Sequence, residues 1–89
     1  MMELSDEMLA ELNYVQISTY RTKVMKSLDD DVKMPTQIAK TSGIRTNHIS
    51  NVLRQLKEHE LVECINPEVK KGRLYRLTDN GEIIVKHIE

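Results

Sequence analysis

The stretch Gln37-Ile38-Ala39-Lys40-Thr41-Ser42-Gly43-Ile44, continued by Ile49 and Val52, decides how the chain folds. Two helices cross closely only where a small side chain sits at their contact, and Ala39 is such a residue. Gly43 follows Ser42 and can take the left-handed conformation that stops a helix. Ile44 then re-enters the core, while Ile49 and Val52 lock a second helix onto the first. Pro35 suits the first position of the leading helix, because its missing N–H would be unpaired there anyway and its φ is already helical. In the second helix, Ile49, Val52, Leu53 and Leu56 make an apolar stripe over about three turns. Thr46, Asn47, Ser50, Asn51 and Arg54 are left on the opposite, polar and mildly basic face.

Upstream, the like charges of Asp29-Asp30-Asp31 favour a solvated loop that separates two helical zones. Before it, Ile17, Tyr20, Val24 and Leu28 recur at three and four residues and predict one apolar helical face, with Ser18 as its cap. Further back, Leu4, Met8 and Leu12 form a second stripe after Ser5, and Asp6 and Glu7 suit a helix N-terminus. The pattern leaves open whether the residues from Asn13 to Gln16 break or join these two helices. Past Glu60 the period becomes two, so Val62 and Cys64 share a face of one strand and Tyr75 and Leu77 a face of another. Between them Asn66-Pro67 opens a turn-rich loop, and Lys70, Lys71 and Arg73 crowd around Gly72. Thr78 caps a closing helix that carries Ile83, Ile84 and Ile88.

Composition bounds the function. The 89 residues, 39% apolar and 30% charged, support one modest core, and no apolar run reaches the roughly 20 residues that span a bilayer. Glu3, Asp6, Glu7 and Glu11 stand where a secretory signal would carry positive charge, so the chain reads as cytoplasmic with no membrane partner. A lone Cys64 excludes an internal disulfide and a cysteine-rich zinc site. The net charge of −1 conceals a segregated pattern. Residues 1–32 hold 3 basic and 7 acidic groups, residues 33–77 hold 9 and 4, and residues 78–89 hold 1 and 3. A basic module thus lies between acidic ends, and it attracts phosphate locally because screening limits each charge's reach to roughly 8 Å.

The segment 37–44 with Ile49 and Val52 resembles the helix-turn-helix pattern. Leu61-Val62-Glu63-Cys64, followed by Gly72-Arg73-Leu74-Tyr75-Arg76-Leu77-Thr78-Asp79-Asn80-Gly81, resembles the wing and closing helix of small prokaryotic winged-helix regulators. The likeness runs from Tyr20 to Glu89 and is closest to single-domain archaeal and bacterial proteins of the MarR and ArsR groups, with an archaeal source expected. It implies an α+β, mainly α fold: a winged helix-turn-helix with a three-helix core, a two-stranded hairpin wing and flanking terminal helices. One domain over residues 1–89 follows, with an N-terminal helix at 1–14, core and wing at 15–77 and a C-terminal helix at 78–89. It further implies a DNA-binding transcriptional regulator whose second motif helix enters the major groove while the wing lies over the neighbouring minor groove or backbone. Carried over, Thr46, Asn47, Ser50, Asn51 and Arg54 face the groove, and Lys70, Lys71 and Arg73 contact DNA from the wing, with Arg73 the preferred anchor. Two departures matter. Arg45 stands where the family often has a capping Ser or Thr, so the reading helix is expected to start one residue late, with Thr46 in the cap position and Arg45 beside the DNA. Met34 stands where a capping hydroxyl is common, which frees Thr36 and Gln37 for phosphate.

The residue types fit the chemistry, since Asn pairs bidentately with adenine, Arg with guanine, and Ser or Thr with base edges or phosphate. No nucleophile, oriented base or facing carboxylate pair supports catalysis, so the chain reads as a non-enzyme without cofactor. His48, His59 and His87 lack the paired thiolates of a metal sensor, and Asp29 to Asp31 read as solvated rather than metal-binding. RNA binding is disfavoured by an aromatic inventory of three Tyr, no Phe and no Trp. A homodimer is expected through Leu4, Met8, Leu9 and Leu12 at one end and Ile83, Ile84 and Ile88 at the other, because one reading helix covers too few base pairs; the alternative is that both segments fold back onto their own core. The rival reading is a winged-helix protein interaction module within a larger assembly. Effector, operator, and activator or repressor character leave no mark on the sequence.

Overall fold

The computed structural model describes residues 4–29 and 31–88. Glu3 and Asp30, used above, lie outside the described residues. Helix α1 spans Asp6–Gln16, α2 Thr19–Ser27, α3 Pro35–Ser42 and α4 Thr46–Glu58; strands β1 (Val62–Cys64) and β2 (Tyr75–Leu77) follow, and α5 (Asp79–Lys86) closes the chain. The strands pair antiparallel, with Val62 opposite Leu77, Glu63 opposite Arg76 and Cys64 opposite Tyr75. This is the expected mainly helical architecture with a hairpin.

Local chemistry explains the boundaries. The Ser5 hydroxyl accepts from the Met8 N–H at 3.2 Å and the Ser18 hydroxyl from the Arg21 N–H at 3.2 Å, satisfying donors that would otherwise be orphaned at the two helix starts. The stretch left open in the sequence belongs to α1, which continues through Gln16 and buries Val15 completely. The break falls at Ile17 and Ser18. It also corrects the predicted face of the second helix: Ile17 ends α1 and is 72% exposed, and Tyr20 stays on the surface. The restart at Ser18 resets the helical phase, so Val24, Met25 and Leu28 are the apolar residues that α2 and its cap bury, together with Ser27.

Gly43 closes α3 at φ 74°, in the left-handed region assigned to it from sequence. Arg45, not Thr46, is the N-cap of α4, and it makes no side-chain capping bond; Thr46 is the first helical residue. Ile49, Val52, Leu53 and Leu56 are buried, and they share one cluster with Val15, Val24, Met25, Leu28, Ile38, Ile44, Leu61, Val62, Leu77, Ile84 and Val85. Thr78 joins wing and α5. Its N–H donates to the Leu61 carbonyl at 3.0 Å, its hydroxyl donates to the Glu60 carbonyl at 2.6 Å, and that same oxygen accepts from the Gly81 N–H at 3.0 Å. A feature missed in the sequence is a third strand-like contact, in which Lys33 exchanges both backbone bonds with Tyr75 at 3.0 and 2.9 Å. It fastens the hairpin to the loop before α3.

The terminal residues expected at a dimer interface divide. Ile84 is 0% exposed within its own chain, which corrects its placement on an outer face; Met8, Leu12 and Ile88 pack against the same core. The reason is that α1 and α5 lie against each other and against α2. Leu9 remains 49% exposed, and Leu4 and Ile83 are half-buried.

Candidate nucleic-acid interface

The outer face of α4 follows from its inner one. Burying Ile49, Val52, Leu53 and Leu56 forces Thr46, Asn47, Ser50, Asn51 and Arg54 outward, and all five are exposed, as is Arg45. The Arg54 guanidinium donates to the Asn51 carboxamide oxygen at 3.3 Å, one turn away. That contact orders both side chains while leaving the Asn51 amide donors and most of the Arg54 fork unused.

Two adjoining clefts show how α3, α4 and the wing meet. One, of about 300 Å³, is lined by Pro35, Ser50, Leu53, Arg54, Lys57, Arg73 and Tyr75. The other, of about 400 Å³, is lined by residues that include Thr36, Ser50, Lys70, Lys71 and Arg73. The candidates Thr36, Ser50, Arg54, Lys70, Lys71 and Arg73, separated in sequence, therefore share one continuous surface, and among the described residues neither cleft carries a carboxylate. Lys57 belongs with them and was missed. It lies three residues after Arg54 and seven after Ser50, on the same helical stripe, so the periodicity used for its neighbours also reaches it.

Two side chains have tasks besides the expected ones. The Gln37 carboxamide oxygen accepts the Met34 N–H at 2.8 Å, which is the return half of a capping box; the N–H groups that a hydroxyl at residue 34 would have accepted gain nothing from it. Arg73 donates from Nε to the Val69 carbonyl at 2.7 Å and from a terminal nitrogen to the Pro67 carbonyl at 3.4 Å. Its guanidinium thereby ties the wing loop together, and the extended cations of the wing are Lys70 and Lys71. Asn66, unmarked in the sequence analysis except as a turn residue, organises this loop: its carboxamide accepts the Leu74 N–H at 2.7 Å and donates to the Gly72 carbonyl at 3.1 Å. Gly72 turns at φ 73°.

Other candidates are engaged elsewhere. His59 bonds Glu11 at 2.8 Å, and the Cys64 thiol faces the Asn66 oxygen at 3.6 Å. Among the described residues, no three His, Cys, Asp or Glu side chains gather as a metal site. No helix among them is long and apolar enough to cross a membrane.

No protein-family model matches the chain, and no curated protein sequence does. Solved structures do. A MarR family transcriptional regulator from Silicibacter pomeroyi superposes with a TM-score of 0.69 at 20% identity, over 91% of this chain and 60% of that one. A double mutant of Lactococcus lactis ZitR gives 0.59 at 20% identity, over 96% and 50%. The homodimeric winged helix-turn-helix DNA-binding domain of a possible ArsR-family regulator from Mycobacterium bovis gives 0.64 at 22% identity, over 97% and 82%. The chain therefore spans 60% and half of the first two. Together with the element order and the hairpin, these likenesses establish the fold as a winged helix.

Proposed function

We propose that the chain is a DNA-binding transcriptional regulator that places α4 in the major groove and its wing over the adjacent backbone. One observation carries this reading: Arg54, Lys57, Lys70, Lys71 and Arg73 come from two separate elements onto a single surface whose clefts are lined by no carboxylate among the described residues. Ser50, Asn51 and Arg54, all exposed on α4, would supply base-edge donors and acceptors, and Thr36, exposed at the start of α3, would offer its hydroxyl to phosphate. Two of the similar solved structures, one described as a transcriptional regulator and one as the DNA-binding domain of a possible regulator, support the same assignment.

The active form in this reading is a homodimer, as the Mycobacterium bovis domain is. The exposed Leu9, with the half-buried Leu4 and Ile83, supplies its apolar contact on the α1–α5 side. Two reading helices about 34–36 Å apart would then select an inverted repeat with half-sites one helical turn apart. Selection from a random duplex library tests this directly. Enrichment of a dyad-symmetric site is expected; enrichment of sites without symmetry would contradict the dimer, and a failure to retain any duplex at low salt would contradict DNA binding.

A further inference from the structure

Five half-buried polar and aromatic side chains outside the core form a layered stack behind α4. The Tyr14 and His59 rings lie 3.7 Å apart, centroid to centroid, and 12° from parallel. The Arg21 guanidinium lies 3.8 Å from the same Tyr14 centroid, so the phenol is sandwiched between two nitrogenous planes. Glu11 Oε2 lies 2.8 Å from His59 Nδ1, and Arg21 donates to the Gln55 carboxamide oxygen at 3.2 Å and to the Tyr14 carbonyl at 2.9 Å. Glu11 and Tyr14 belong to α1, Arg21 to α2, Gln55 to the last turn of α4, and His59 is the residue that caps α4. The α1 backbone itself packs mainly on α2 and α5.

From this geometry we infer that Glu11, Tyr14, Arg21, Gln55 and His59 form a clamp that sets the orientation of α4 by the seat of α1. They are positioning residues for the proposed reading face. Every contact in the clamp is directional: a stacked ring pair, a cation over a ring face, and hydrogen bonds with fixed acceptors. Apolar packing of Val52, Leu53 and Leu56 holds α4 down, but it tolerates small rotations about the helix axis that the clamp resists. Such a rotation moves Asn51 and Arg54 across the base edges while leaving the wing lysines in place. Because α1 also carries Leu9 of the proposed dimer contact, a change in how α1 is gripped reaches α4 through this stack.

The inference rests on α4 as the reading helix, so its test has one arm with DNA and one without. In the first, Tyr14→Leu and Tyr14→Phe are compared for affinity to a selected duplex and to random duplex, with thermal melts as a control for folding. Tyr14→Leu is expected to lower the ratio of specific to random affinity about five- to tenfold, with random-duplex affinity and its salt slope unchanged, and Tyr14→Phe to restore the ratio. An unchanged ratio in folded Tyr14→Leu overturns the clamp. In the second arm, backbone amide resonances of Glu11→Gln are compared with those of the exposed control Asp6→Asn in the free protein. Shifts running along α4 as far as Asn51 are expected only for Glu11→Gln. Shifts confined to the neighbours of Glu11 and His59 overturn the clamp, whether or not the chain binds DNA.

Discussion

Gly81 lies directly against the backbone of Leu61: a Cβ added at residue 81 would fall inside the envelope of the Leu61 carbonyl oxygen, 3.1 Å from its carbonyl carbon and 3.3 Å from the Leu77 Cβ. The carbonyl is not free to retreat, because its oxygen accepts the Thr78 N–H at 3.0 Å. The absence of a side chain at Gly81 thus sets how closely α5 approaches the base of the wing. Gly81→Ala is expected to destabilise the fold by about 2–3 kcal/mol, through backbone displacement in a close-packed region. For a domain of this size that lowers the melting temperature by roughly 10–20 °C. A thermal melt followed by circular dichroism checks it, and an unchanged midpoint would show that α5 can slide away at no cost.

Asn66 and the wing lysines should separate shape from charge. Asn66→Ala removes the acceptor of the Leu74 N–H and the donor to the Gly72 carbonyl, so the wing loses its shape while its charge is kept. Duplex affinity should fall about tenfold, and the two lost hydrogen bonds, of about 1 kcal/mol each, should lower the melting temperature by roughly 10 °C while leaving the chain folded. Faster amide exchange at Leu74 would accompany the loss. Full affinity in the variant would mean that the wing's shape is irrelevant to binding.

Lys57 and Asn51 predict opposite signatures on one helix. Lys57→Ala should weaken specific and random duplexes about equally and flatten the log–log salt slope by about one unit, as expected for a phosphate contact. Asn51→Ala should instead cost about 1–3 kcal/mol on the selected site alone and relax base preference at one position. Equal losses on both kinds of DNA for Asn51→Ala would turn α4 the wrong way round.

Burial decides what the terminal helices can contribute to a dimer. Leu9→Glu places a charge on a half-exposed position and should yield a folded monomer, whereas Ile84→Glu places an unpaired carboxylate in the core and should unfold the chain. Sedimentation equilibrium with a parallel melt distinguishes these outcomes; a folded dimer in Leu9→Glu would move the interface elsewhere.

These cases also mark what could be read from residue order. Helix starts at Ser5, Ser18, Pro35 and Thr78, the stop at Gly43 and the polar face of α4 were legible because each depends on residues within one or two turns. The exposure of Ile17 was not, since it depends on where the helix breaks, and a shift of one residue rotates a helical face by about 100°. Ile84 was misplaced because the apolar stripe of α5 has the same spacing whether it meets its own core or a partner. The Lys33–Tyr75 pairing, the Asn66 bonds and the Tyr14–His59 stack join residues far apart in the chain or bond backbone to side chain across a loop. No local pattern encodes them. Of the cations that line the two clefts, only Lys57 was not marked from residue order, and the bonds that engage Gln37 and Arg73 became visible only with the carbonyls and amide they meet.

If one basic surface reads duplex DNA, as proposed, binding must both weaken with salt and depend on sequence. Equilibrium binding of the folded chain to a selected duplex and to a scrambled duplex, titrated from 50 to 200 mM salt, tests it most directly. With four to six phosphate contacts, affinity for both should fall roughly 100- to 1,000-fold over that range, with the selected duplex bound more tightly throughout. Binding that is insensitive to salt, or equal for the two duplexes at every salt concentration, would contradict it.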